Sequence, residues 1–130
     1  MKFKYLLPVI LWSLVILWLI SIPGGNIPKT PFLSIPHFDK LVHFGIFAVF
    51  AFLLNYGLSK QSSVSCQKHQ YNISLLIGVI YSGGTELLQY MFIVGRFGEI
   101  WDFAANMAGC CVGLLVFKHG RKYFPAFLYN

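Results

Sequence analysis

Residues 41–58 read LVHFGIFAVFAFLLNYGL, eighteen consecutive positions without an Asp, Glu, Lys or Arg. At 1.5 Å per residue a helix of that length reaches roughly 27 Å, close to the thickness of a bilayer's hydrocarbon core. Backbone amides find no water partner in that core, so a segment that crosses it must satisfy itself as a helix. Working outward, residues 5–22, 71–94 and 101–117 form three more apolar runs. The expected fold is therefore all-α. It is an integral membrane four-helix bundle, one domain over residues 1–130, with helices at about 5–22, 41–58, 71–94 and 101–117.

Composition supports this reading. The chain is 57% hydrophobic and only 11% charged, with a mean hydropathy of +0.67, whereas a soluble domain carries about a quarter charged residues. A formal net charge of +6 would suggest nucleic acid in a soluble protein. Here the Lys and Arg residues lie in short segments between apolar runs, so topology and anionic headgroups explain them and no nucleic-acid partner is expected. Cys66, Cys110 and Cys111 match no disulfide framework or zinc spacing.

The first run follows Lys2 and Lys4 but lacks a small-residue cleavage site, so it is expected to remain as an uncleaved helix. Residues 23–36 contain four prolines and two glycines and read as a loop, residues 59–70 as a polar loop, and residues 95–100 as a tight hairpin turn. Lys2, Lys4, Lys60, Lys68, Lys118, Arg121 and Lys122 fall on one side, against Lys29, Lys40 and Arg96 on the other. The positive-inside rule then puts both termini in the cytoplasm.

The only acids are Asp39, Glu86, Glu99 and Asp102, and this topology places all four in the outward half. Asp39 and His43 are four apart, Glu86 and Gln89 three apart, and Asp102 and Asn106 four apart. Each pair shares a helical face. Three helices thus offer polar pairs at similar depth, with Lys40 and Arg96 nearby. An intramembrane glutamate is costly to insert and is by default functional. Asp39 and Asp102 also suit the first turn or cap of their helices, and Lys40 and Arg96 suit interfacial anchors. Gly109-x-x-x-Gly113 and Ser82-Gly83-Gly84 read as places where helices approach closely.

Asp39-Lys40-Leu41-Val42-His43-Phe44, then Glu86-x-x-Gln89, then Arg96-x5-Asp102-x-x-x-Asn106-x-x-Gly109 resembles the VanZ-like family. These are small bacterial membrane proteins named for a teicoplanin-resistance accessory protein. The resemblance implies Asp39, Lys40, His43, Glu86, Gln89, Arg96, Asp102 and Asn106 as characteristic positions. It implies a cell-envelope role in the bacterial cytoplasmic membrane, with a link to glycopeptide resistance, but no settled reaction.

On this reading His43, Glu86 and Asp102 are the candidate acid–base residues. Asp39, Lys40, Gln89, Arg96 and Asn106 are the binding residues. The expected ligand is an envelope lipid or lipid-linked cell-wall precursor, its phosphate held by Lys40, Arg96 and the outer helix ends, with membrane lipids around the bundle. The other reading is a non-catalytic accessory subunit whose polar cluster fixes the bundle or meets a membrane protein partner. His43, Glu86 and Asp102 also make a His-plus-carboxylate set, but no ligand spacing supports a metal and none is assigned. No cofactor is indicated.

Overall fold

The computed structural model describes residues 2–23, 37–94 and 99–120. Those residues form a short 3-10 turn, Phe3–Tyr5, and five α-helices, with no strand among them. The helices are α1 (Leu7–Ile20), α2 (Phe38–Ser59), α3 (Val64–Lys68), α4 (Gln70–Phe92) and α5 (Ile100–Gly120). Of the loop expected at residues 23–36 and the hairpin turn expected at 95–100, residues 24–36 and 95–98, with Lys29 and Arg96, lie outside the described residues, as do Arg121 and Lys122.

Among the described residues two helices are long and apolar enough to cross a membrane: α2, with mean hydropathy 1.9, and α5, with 1.6. The first apolar run gives a shorter helix than expected, 14 residues, or roughly 21 Å. Pro8 lies in its first turn, where a missing amide hydrogen costs nothing. In α4 the 23 residues suffice in length, but one face is polar. Its buried residues are Gln70, Ser74, Gly78, Ser82, Thr85, Glu86 and Gln89, a stripe at spacings of three and four. Its exposed residues include Leu75, Leu76, Ile80, Leu87 and Met91. A soluble amphipathic helix is built the other way round. Apolar outside and polar inside suits surroundings made of hydrocarbon.

The segment expected to be a polar loop after α2 contains α3, started by Ser63, whose hydroxyl accepts the Cys66 amide at 3.3 Å. At the start of α2 the cap position belongs to His37, in the left-handed region at φ 64°. Asp39 sits one residue inside the helix, in the first turn, where a carboxylate complements the helix dipole.

Helix α2 is the hub and packs against every other helix. Its closest partner is α5, which runs in the same direction. A Cβ on Gly109 would collide with the carbonyl of Phe44, and one on Gly113 with the carbonyl of Ala48. The two backbones therefore touch, and only glycine allows it. The second small-residue stretch behaves differently. A Cβ on Gly84 would meet nothing within 4 Å, and one on Gly83 only the Phe103 ring at 3.9 Å. Close packing within the described residues does not account for that pair.

Helices α1 and α4 run opposite to α2 and α5. The Trp12 indole donates to the Ile46 carbonyl at 2.9 Å, fastening α1 to α2. The Tyr81 hydroxyl donates to the Ser13 carbonyl at 2.7 Å, while its ring stacks on Phe50 at 5.0 Å. Between them lies the apolar core of Val9, Ile16 and Ile20 from α1, Phe47, Phe50, Ala51, Leu54 and Leu58 from α2, and Cys110 from α5. This core separates two polar regions. One, at the end of α2, holds Asn55 and Ser74, hydrogen-bonded at 3.3 Å. The other, at the start of α2, carries all four acids.

Candidate functional site

The first turns of α2 and α5 lie side by side with the last turns of α4, because α2 and α5 run parallel and α4 returns between them. This brings three polar pairs to one end of the molecule. At their centre is Asn106, fully buried on α5. Its amide nitrogen donates to Ser82 Oγ at 2.9 Å and to Glu86 Oε1 at 3.0 Å. With both amide hydrogens engaged, the carbonyl oxygen must accept, and it lies 3.1 Å from His43 Nδ1. The network therefore assigns the proton to Nδ1 and leaves Nε2 as the acceptor of the neutral ring. Glu86 Oε1 also stands 3.4 Å from His43 Nδ1. An imidazole and a carboxylate, both more than nine-tenths buried, thus share one amide as their positioning group.

One turn closer to the surface is an ionic cluster. The Lys40 ammonium lies 3.1 Å from Asp39, 3.0 Å from Glu99 and 3.1 Å from Asp102. Asp102 is buried, with 9% of its side chain exposed, whereas Asp39 and Glu99 are more than half exposed. The ammonium's three hydrogens match three carboxylate oxygens. A buried carboxylate needs a partner of this kind, since an unpaired one would be strongly penalised. Lys40, expected as an interfacial anchor and phosphate ligand, instead takes all three carboxylates. Among the described residues one cation meets three carboxylates here, so Lys40 is committed to carboxylates before any phosphate arrives.

Gln89, also nearly fully buried, lies one turn beyond Glu86 on the same face of α4. Its amide nitrogen has no hydrogen-bond partner among the described residues. A cleft of about 320 Å³ opens beside the network between α4 and α5, with Glu86 and Glu99 on its walls among Leu87, Tyr90 and Phe103. Of the eight positions singled out in the sequence, seven are gathered here; the eighth, Arg96, lies outside the described residues.

Two members of the site were not chosen as site residues from the sequence. Ser82, read as a packing residue, takes a hydrogen bond from Asn106. The signal was its place four residues before Glu86, on the same face. Glu99, read as a loop acid, reaches Lys40 across 59 residues, a pairing that sequence spacing cannot reveal. Among the described residues no three His, Cys, Asp or Glu side chains converge as metal ligands.

Comparison with known proteins gives one family. The family model described as VanZ/LLP1 matches residues 3–122. No curated protein and no solved structure matches the chain.

Proposed function

The chain belongs to the VanZ/LLP1 family, and on that footing we propose that it is a multi-pass protein of the bacterial cytoplasmic membrane. On this reading both termini are cytoplasmic, α1, α2, α4 and α5 cross as a bundle, and the His43–Asn106–Glu86 end faces outward. That end binds or acts on the polar part of an envelope lipid or lipid-linked cell-wall precursor. The observation that carries the reading is α4. It buries Ser82, Glu86 and Gln89 while turning leucines and isoleucines outward, which keeps a polar site dry on the lipid side. Glu86 and Glu99 line a cleft between apolar walls, an entrance suited to an amphiphile arriving from the membrane.

The geometry supports the following roles. Asn106 is hydrogen-bonded to both His43 and Glu86, and that pair would supply acid–base capacity. Asp102, held by Lys40, stands one turn above as a second acceptor. The Gln89 amide, buried without a partner among the described residues, would serve headgroup oxygens once the cleft admits them. A role in glycopeptide resistance would act through the same envelope ligand.

The test is Glu86→Gln, which keeps the shape and removes the charge. Purified wild type should show a headgroup preference across a panel of envelope lipids in native mass spectrometry. The variant should fold, retain its melting temperature within a few degrees and lose that preference. If instead the variant fails to insert or accumulate, the polar cluster is a scaffold and the accessory-subunit reading takes over.

A further inference from the structure

The end of the bundle away from the His43–Glu86 site collects lysine, while the chain's four Asp and Glu residues all lie at the other end. Three pieces of chain meet here. The N-terminal turn, Phe3–Tyr5, is pressed against the last turns of α2. A Cβ on Gly57 would fall 2.8 Å from the Tyr5 carbonyl oxygen and 2.7 Å from Leu6. The Tyr5 ring meets Tyr56 edge-on at 6.3 Å. Gln61, two residues beyond α2 and only 4% exposed, ties the pieces together. Its side-chain oxygen accepts the Lys2 amide at 3.0 Å, and its side-chain nitrogen donates to the Gly57 carbonyl at 2.9 Å. Its own carbonyl accepts the Gln67 side-chain amide of α3 at 2.6 Å. One neutral residue therefore fastens both the N-terminal turn and α3 to the end of α2.

What this clamp presents is cationic and apolar together. Lys2, Lys4 and Lys68 are exposed, and beside them on the same two segments Phe3 is 62% exposed and Val64 78%. Lys60 is different: it is buried, with its ammonium 6.0 Å from the centre of the Tyr56 ring, and it belongs to the clamp rather than to its surface. The mixture decides the kind of partner. A nucleic acid or an acidic protein would match the lysines and leave Phe3 and Val64 in water. The surface of an anionic leaflet matches both, with phosphate at the lysines and hydrocarbon at Phe3 and Val64. Tyr5 and Tyr56 suit the same depth, where tyrosine bridges headgroup and chain.

We propose that this end is a seat for anionic phospholipid headgroups, formed by Lys2, Lys4 and Lys68 and held in place by the Gln61 clamp. The inference takes its surroundings from the membrane reading above and is independent of the polar site, which faces the other leaflet. A bias in orientation needs only a count of lysines, whereas a seat needs them fixed in position, and the uncharged Gln61 and Gln67 do that. A lysine close to an anionic surface contributes about fivefold in affinity, and salt screens it.

The test mixes the purified full chain in detergent with equal amounts of phosphatidylglycerol and phosphatidylcholine and measures the retained lipid by native mass spectrometry. Wild type should prefer phosphatidylglycerol, less so as salt is raised. Lys4→Gln should lower the preference about fivefold. Lys118→Gln removes the same charge at the same end, but from α5, which packs against neither the N-terminal turn nor α3, and should change it little. Gln67→Leu, at an exposed position, alters no charge yet releases α3, and should lower the preference as far as Lys68→Gln does. Equal retention of the two lipids by wild type overturns the proposal. Equal losses in Lys4→Gln and Lys118→Gln, or an unchanged preference in Gln67→Leu, overturn it too, since a diffuse positive surface then explains the binding. Binding of polyglutamate without any lipid preference overturns it in favour of an acidic protein partner. The Lys4→Gln loss expected here does not depend on Glu86→Gln: a variant at Glu86 with no effect removes the polar site and leaves this seat standing.

Discussion

Replacing Asn106 by leucine keeps the number and branching of side-chain heavy atoms at a fully buried position and removes the hub of the polar network. Three hydrogen bonds disappear: from His43 at 3.1 Å, to Ser82 at 2.9 Å and to Glu86 at 3.0 Å. Side-chain bonds between membrane helices average about 0.6 kcal/mol, so the three together are worth roughly 2 kcal/mol. Glu86 then loses a donor in a buried place, which adds on the order of 1–3 kcal/mol where the carboxylate stays ionised. The expected destabilisation is about 2–5 kcal/mol, equivalent to at least a twentyfold shift in the unfolding equilibrium at ~1.4 kcal/mol per decade. Reversible unfolding in mixed micelles would measure it. Combining Asn106→Leu with Ser82→Ala should give less than the sum of the two, because Ser82 has already lost its partner. A change under ~0.5 kcal/mol, below the average for even one such bond, together with strict additivity, would refute the network as described.

Three further outcomes follow from the packing and the charges. Lys40→Met should lower the melting temperature by stranding the buried Asp102 carboxylate, with a loss of roughly 1–3 kcal/mol; adding Asp102→Asn should recover part of it, and no recovery would mean that Lys40 acts elsewhere. Gly109→Ala forces a Cβ into the Phe44 carbonyl and should cost about 1–3 kcal/mol by wedging α2 from α5, seen as easier unfolding in detergent, whereas unchanged unfolding would contradict the backbone contact. With Cys110 and Cys111 replaced by serine, Cys66 within α3 should resist an impermeant maleimide in intact cells and react in inverted vesicles; labelling from outside would reverse the proposed orientation.

Much of this arrangement was legible in the sequence because a membrane simplifies the pattern. The run at residues 41–58 and the run at 101–117 announce α2 and α5 by length and hydropathy alone, and Asp102-x-x-x-Asn106 gives the inward face of α5. Glu86 stood out because α4 carries no other Asp, Glu, Lys or Arg, and Gln89 because it shares that face. What stayed hidden depended on distance across the fold. Glu99 and Lys40 meet only because α2 and α5 begin side by side, and Ser82 became a site residue only once Asn106 faced it. The α3 turn was missed because five residues with one serine cap leave too faint a signal in a polar stretch. The glycines show the same limit from the other side. Gly109-x-x-x-Gly113 and Gly83-Gly84 look alike in sequence, but one pair touches a backbone and the other borders an open groove.

The central claim is that the His43–Asn106–Glu86 end of the bundle receives a lipid headgroup, and a high-resolution structure of the full chain crystallised from a lipidic phase tests it most directly. The account expects headgroup density in the cleft between α4 and α5, within hydrogen-bond distance of Glu86 and near Asp102 and Gln89. A cleft that holds only water, with ordered lipid confined to the outer apolar surface and the His43–Asn106–Glu86 network unchanged, would contradict it.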